Sequence, residues 1–272
     1  MARRSKLVAV ATAVVIVVVA AAAVQLRRGL RCAGFAGPGV TSAELPPPCL
    51  PGRLRLATWN LRNFPLDERP QEPDLGYLRR TNICDLETAL GGLDADLIAL
   101  QEVCDTRRLP PILRRACAPR PMRAVFSAGG GRHGQHLALA WDDSVLELVD
   151  GPFEITELVL AEGMRPGLAG GFRSRAGSGI ELTVVTVHLE SGRDSFGARR
   201  RQNRALADWL LARASAAGKA SFVVLGDLNT TGSPRGGLAG EMQSLDAILG
   251  RAGLDRLAVA GGCSQYWEGG GA

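Results

Sequence analysis

The sequence predicts an α/β fold in which helices cover a core of stacked sheet. Three observations carry that expectation. Short apolar runs of strand length are interspersed with longer stretches of helical period. One run, "DLIALQEV", is nearly continuous in its apolar character, as in strands buried on both faces. No repeat of fixed period organises the chain.

The 272 residues open with "MARRSK", then an uncharged run over 7–24, "LVAVATAVVIVVVAAAAV", and then "QLRRGLRC". Spanning a bilayer takes about 20 apolar residues, whereas a signal-peptide core has roughly 7–15. Residues 1–31 are therefore expected to be an N-terminal membrane anchor or signal peptide, with the membrane met through residues 7–24. An uncleaved anchor is the first reading, and cleavage near the small residues of 20–23 is the second. Basic residues flank both ends, so the positive-inside rule gives little bias. The N-terminal position and basic start favour export, which makes the globular part extracytoplasmic, membrane-anchored or secreted. Residues 32–52, rich in Pro, Gly and Ala, read as a linker. Residues 53–272 read as the globular domain.

Within that domain, "RLRLATWNL" alternates as a half-buried strand does, and "ICDLETALGGL" reads as a short helix stopping at Gly91 and Gly92. "DLIALQEV", "HLALAWD" and "VLELVD" follow as strands, and "IELTVVTVHLE" is the longest strand candidate. Over 195–219 a helical period places Ala205, Leu206, Trp209, Leu210 and Ala216 on one face and Arg200 and Arg204 on the other, with Arg213 interrupting the stripe. "ASFVVLGDLN" is again a strand. "EMQSLDAILGRAGL" is a helix with Met242, Leu245, Ile248 and Leu249 inward. The stretches 67–81 and 165–179 read as loops.

Charge and cysteine content narrow the function. The formal net charge is +5, but residues 1–31 hold six Lys/Arg and no acid, so 26 basic residues face 27 acidic ones in the remainder. The basic pI thus belongs to the N-terminal segment and is no argument for a nucleic-acid-binding domain. The six cysteines, Cys32, Cys49, Cys84, Cys104, Cys117 and Cys263, form no CxxC pair, which argues against a thiolate zinc site. In an exported chain they suit disulfides. Cys32–Cys49 and Cys104–Cys117 are candidate pairs, and the connectivity stays open. A serine or thiol hydrolase is disfavoured, because no Gly-x-Ser-x-Gly elbow occurs and no cysteine adjoins a histidine.

Four strand ends carry polar residues where the apolar pattern stops: Asn60 in "ATWN", Glu102 in "ALQE", His188 in "TVHLES", and Asp227 with Asn229 in "VLGDLN". Each alone has a structural explanation, as a turn cap, an ion-pair partner or a tight turn. Together they are suited to the crevice above a sheet. A hard cation takes oxygen ligands, usually one or two carboxylates plus water and phosphate oxygens. Glu102 offers a carboxylate and Asn60 an amide oxygen. Asp227 can orient or deprotonate a water. Asn229 and a protonated His188 can donate to a phosphoryl oxygen. This is equipment for in-line attack of water on a phosphate ester.

"TWNLRNF", "LQEV", "VHLESG" and "VLGDLN", in this order and at these intervals, with "RRRQ" opening the helix before the last, resemble the endonuclease/exonuclease/phosphatase superfamily. The similarity runs over about residues 53–267. It implies a four-layer α/β sandwich of two packed mixed sheets flanked by helices. It also implies a phosphoesterase dependent on Mg²⁺, with Mn²⁺ or Ca²⁺ as alternatives, hydrolysing phosphodiester bonds, nuclease-like in the first reading. By resemblance Asn60 and Glu102 sit at the metal, His188 contacts the scissile phosphate or moves a proton, and Asp227 and Asn229 position water and phosphate. Arg132, His133 and His136 lie where the superfamily often has a polar loop and are candidate substrate-binding residues. The partner is a phosphate ester, a nucleic acid among the options, and no protein partner is expected.

The superfamily pattern normally closes with an Asp-His pair, and no histidine follows His188. The fold expectation therefore lacks its C-terminal strand or strands. A longer gene product, a non-catalytic member, or substitution by His133 or His136 each accounts for this, and the first two leave the chain as written inactive or very slow. The competing functions are a membrane-tethered binding domain with the same fold, and a phospholipid or inositol-phosphate phosphoesterase.

Overall fold

The structure is a computed structural model of the 272-residue chain, and it describes residues 16–20, 53–65, 81–128, 130, 134–176, 179–217 and 221–257. Two mixed sheets pack face to face. The first has the order β1-β2-β3-β5-β4, with β1 Ile16–Ala20, β2 Leu54–Phe64, β3 Leu97–Val103, β4 Met122–Phe126 and β5 His136–Asp142. The second has the order β6-β7-β8-β9, with β6 Leu146–Ile155, β7 Gly167–Ser174, β8 Glu181–His188 and β9 Phe222–Asp227. Helices α1 (Ile83–Gly92) and α2 (Leu109–Ala116) pack against the first sheet, and α3 (Phe196–Ala217) and α4 (Gly237–Gly250) against the second.

Three apolar cores follow from the period-two alternation of the strands. Leu54 and Leu56 of β2, Leu97 and Ala99 of β3, Leu182 and Val184 of β8, and Val223 and Leu225 of β9 meet between the sheets. Their alternate neighbours Ala57, Ile98 and Leu100 face α1 and α2. Val185 and Val187 face Leu206 and Leu210 of α3. Layers of helix, sheet, sheet and helix result, the four-layer sandwich that the resemblance implied.

Several elements depart from the sequence reading. Ile16–Ala20, inside the run expected to cross a membrane as a helix, form a strand parallel to β2, with Ile16 opposite Leu54 and Ala20 opposite Thr58. Four of these five residues are β-branched, a composition that suits an extended backbone beside an open sheet edge. Among the described residues no helix is long and apolar enough to cross a membrane. The linker at 32–52 and the stretch 263–272 lie outside the described residues.

Two prolines hid α2, yet they occupy its first turn, where the missing N–H is not needed. Glycines hid β7, read as part of a loop. A Cβ on Gly170 would come within 2.9 Å of Leu148 Cδ1, so the strand is glycine-rich because its neighbours press against it. Ala216, expected on the apolar face of α3, is exposed.

Cys104 and Cys117 are both free, so the candidate bridge between them is not formed. Cys104 follows the C-terminal end of β3. Cys117 precedes Arg120, whose guanidinium donates to the carbonyl of Ala95 at the other end of that strand. Seven residues of strand separate the two ends, on the order of 20 Å, well beyond disulfide reach. Cys84 is disulfide-bonded, and its partner lies outside the described residues.

Candidate active site

The stripes that build the inter-sheet core run on past the last apolar residue and become polar at one end of the sandwich. Gln101, next in phase after Leu97 and Ala99, donates from Nε2 to Thr186 Oγ1 at 3.1 Å and to Thr58 Oγ1 at 3.2 Å. Asn60, His188 and Asp227 are the next positions in phase on β2, β8 and β9. Parallel pairing sets His188 opposite Asp227. The sheets therefore deliver these three side chains to one crevice, with the glutamine-threonine layer as its floor.

Glu102 arrives differently. Strict alternation would turn it toward the helices. Its backbone instead adopts φ 59°, left-handed for a side chain that rarely tolerates it, while Arg62 and Asn63 opposite have φ 54° and 61°. The β2–β3 and β3–β5 registers slip at the same place. This distortion brings the Glu102 carboxylate to Asn60. Local strain of this kind concentrates at functional sites.

Asn60 bridges the two carboxylates: its Nδ2 donates to Glu102 Oε1 at 2.8 Å and to Asp227 Oδ2 at 3.0 Å. His188 Nε2 lies 3.8 Å from Glu102 Oε1 and 3.9 Å from Asp227 Oδ2. Asp227 Oδ1 accepts the backbone N–H of Asn229 at 2.9 Å, and Asn229 Nδ2 donates to the Leu189 carbonyl at 2.9 Å. The five residues singled out in the sequence thus converge.

Two details differ from expectation. Asn60 presents its amide nitrogen to the carboxylates, while its oxygen accepts the Arg62 N–H at 2.9 Å. That oxygen has a second lone pair beyond this bond. His188 is not cationic at neutral pH: burial drives its pKa down to about 3, Arg165 adds to the fall, and Asp227 opposes it. Among the described residues its Nδ1 is buried without a hydrogen-bond partner.

The sequence reading missed Arg165. It sits just before β7, antiparallel to β8, so it comes level with the polar end of β8. Its Nη1 donates to the His188 carbonyl at 3.3 Å and its Nη2 to Gln135 Oε1 at 2.7 Å. Gln135 in turn donates to Asn63 Oδ1. Burial lowers the Arg165 pKa, opposed by the nearby charges of Glu102, Glu190 and Asp227. Reading the N-terminal ends of antiparallel partners, as well as C-terminal strand ends, would have exposed it. Arg132 and His133 lie outside the described residues. His136 Nδ1 is engaged by the Ser127 carbonyl at 2.7 Å, and its neighbour Gln135 is the residue tied into the site.

Burial pushes the Glu102 carboxyl above its usual range, and the Asp227 charge adds to the rise. The Asn60 hydrogen bond, the Arg165 charge and a backbone bond at Asn63 pull it down. Two carboxylates held together by one neutral amide, one of them desolvated against its preference, fit a divalent cation that takes one or two carboxylates and completes its shell with water and phosphate oxygen. Among the described residues no group of three or more His, Cys, Asp and Glu is placed to hold a metal by itself.

The depressed histidine has a measurable consequence. Between pH 6.5 and about 3 the unfolded chain binds a proton at His188 that the native state refuses, so stability is full above that window and falls as pH drops through it, by up to about 1.4 kcal/mol per pH unit. Glu102 acts with opposite sign: its raised carboxyl costs stability as pH rises through the folded value. With chelator present, urea midpoints should fall less on acidification from about pH 6.5 to 4.5 for His188→Gln than for the unmodified chain. Identical pH dependence would contradict a buried neutral imidazole.

The sequence model of the Endonuclease/Exonuclease/phosphatase family matches residues 57–271. Among solved structures, the mannosyl-6-phosphatase of Bacteroides thetaiotaomicron aligns with TM-score 0.50 and 18% identity, over 72% of this chain and 70% of that one. ANGEL2, a 2′,3′-cyclic phosphatase, aligns with TM-score 0.50 and 18% identity over 75% of this chain and 62% of its own. The human Nocturnin catalytic domain aligns with TM-score 0.45 and 19% identity over 56% of this chain. The chain spans 57% of that Nocturnin structure and 43% of a second ANGEL2 structure. Comparison with curated proteins finds no match. Likenesses at this identity establish the fold alone, but the family match extends over most of the chain and takes in every strand end that meets in the crevice: the chain belongs to the endonuclease/exonuclease/phosphatase family.

Proposed function

We propose that the protein is a divalent-metal-dependent phosphoesterase, Mg²⁺ being the first choice, that hydrolyses phosphodiester bonds in a nuclease-like manner outside the cytoplasm, anchored or secreted. The observation that carries this reading is the bridge from the Asn60 amide to both Glu102 and Asp227, with His188 Nε2 beside the same two oxygens. Asp227, fixed by Asn60 and the Asn229 N–H, is the base that orients a water and takes its proton. Neutral His188 exchanges a hydrogen bond with the reacting oxygen and adds no charge. Arg165 supplies the cation that meets negative charge developing on the phosphoryl group. Asn229 has a second amide hydrogen for the same group while its first holds Leu189. Glu102 is the principal metal carboxylate, with Asp227 beside it, and a cation there would polarise a phosphoryl oxygen. The Cys84 disulfide supports an oxidising, extracytoplasmic setting.

The test is hydrolysis of bis(p-nitrophenyl) phosphate by the full chain with Mg²⁺, with and without chelator, beside Asp227→Ala. Metal-dependent turnover that falls about 10³-fold or more in the variant is expected. Equal rates in the two proteins would remove the assignment, and the same fold would then serve as a tethered binding domain.

A further inference from the structure

The loop after β8 and the loop after β9 carry the far side of the crevice, yet few sheet hydrogen bonds reach them. One buried cation does. Arg199, in the first turn of α3, is 1% exposed and spends its guanidinium on both loops. Its Nη1 donates to the Gly192 carbonyl at 2.6 Å and to the Glu190 carbonyl at 3.3 Å, both after β8. Its Nη2 donates at 3.0 Å to Thr231 Oγ1, after β9. Its charge is matched by Glu241 of α4, with Nε to Oε1 at 2.6 Å and Nη2 to Oε2 at 3.1 Å. Glu241 Oε2 also accepts the Gly232 N–H at 2.6 Å, and Thr231 Oγ1 donates to the Gly192 carbonyl at 3.2 Å. Both charges are buried, so the pair is costly to break and rigid while intact.

Between these anchors lies Asn229. Its amide bond to the Leu189 carbonyl spans the same two loops, and its own backbone is left-handed at φ 49°. A polar residue in that conformation keeps its place only where its surroundings hold it. We propose that Arg199 is a positioning residue of the phosphoesterase site: paired with Glu241, it clamps the two loops together and so fixes Asn229 relative to Asp227. The proposal rests on the phosphoesterase reading for its catalytic consequence, but the clamp itself is a property of the folded chain. Gln202 reinforces it from the next turn, accepting the Glu190 N–H at 2.9 Å and donating to the Leu158 carbonyl at 3.1 Å.

The experiment is a double-mutant cycle in kcat for the full chain, with Arg199→Lys, Asn229→Ala and both together. Arg199→Lys keeps the charge opposite Glu241 but has no planar fork to reach two loops at once. It should lower kcat about 10- to 100-fold with KM changed less than about threefold, since misplacement of a transition-state donor costs rate more than binding. In the Asn229→Ala background the same change should cost less than about twofold. Multiplicative losses would overturn the proposal, because a merely structural arginine weakens both backgrounds alike. Glu241→Gln should follow the same pattern, and independence of Asn229 there would equally count against the clamp.

A readout without turnover separates the two claims. The side-chain amide of Asn229, identified by its disappearance in Asn229→Ala, should exchange with solvent at least about tenfold faster in Arg199→Lys, at equal distance below each melting midpoint. Unchanged exchange overturns the clamp whether or not the chain hydrolyses phosphodiesters. Absence of turnover with accelerated exchange leaves the clamp standing and removes the phosphoesterase reading.

Discussion

The Glu102→Gln variant is expected to lose hydrolysis by about 10³-fold or more, and yet to melt higher than the unmodified chain when metal is chelated. The two effects have one cause. Burial raises the Glu102 carboxyl above its usual range, which means that the native state disfavours the ionised form. At neutral pH the chain folds around that charge regardless, and the linkage runs against stability as pH rises through the folded value. Glutamine resembles the protonated form, keeps an oxygen for the Asn60 amide, and removes the repulsion from Asp227. A gain on the order of 1 kcal/mol, seen as about 2–4 °C, is expected for a domain of this size. Added Mg²⁺ should reverse the ranking. On the metal-dependent reading the unmodified chain would gain stability by binding the cation, and the variant, lacking the carboxylate, would gain little. Thermal melts with chelator and with Mg²⁺, alongside rates, check all three parts. A variant that melts lower in chelator, or that keeps its rate, would show that Glu102 is a structural carboxylate.

The site was readable in the sequence where it obeys strand geometry. Asn60, His188 and Asp227 each continue an inter-sheet stripe by one more step of two residues, so a polar side chain at the end of an apolar run was already pointed at the crevice. Glu102 breaks that rule. Alternation sends it to the helix side, and it stands out only as the polar residue where the apolar run of β3 stops, because a left-handed residue at a register slip has no signature in composition. Arg165 was invisible for a different reason. It precedes its strand, and only the antiparallel pairing of β7 with β8 carries it to the polar end. The same pairing explains why the glycine-rich 167–174 region folds as a strand: its glycines are set by neighbours distant in sequence. Arg199 shows the limit of periodicity on helices. The pattern correctly left Arg200 and Arg204 outward, but burial of the arginine next to them depends on Glu241, a helix away.

Chemistry and packing meet most closely at Gly226, and Gly226→Ala should be the most damaging single methyl group that can be added near the site. A Cβ there would lie 2.1 Å from the carbonyl oxygen of Val187, and φ is 125°, a backbone conformation that side chains rarely adopt. The atom in the way is backbone of β8, an inner strand of its sheet, so no rotamer change relieves the overlap. Strain and overpacking together should cost at least about 3 kcal/mol, a melting midpoint lower by roughly 10 °C, or failure to accumulate folded protein. Gly92→Ala, at the end of α1 with nothing within 4 Å of the new atom, is the control and should melt within about 2 °C of the unmodified chain. The close approach also bears on the proposed chemistry. Gly226 sits opposite Val187, and the next pair along the ladder is Asp227 opposite His188. Forcing the strands apart at the glycine therefore widens the gap between the proposed base and the imidazole. Any folded Gly226→Ala protein should accordingly lose rate beyond what its stability explains, measured well below its midpoint. A variant that melts like Gly92→Ala would show that the two strands do not meet as closely as their glycine implies.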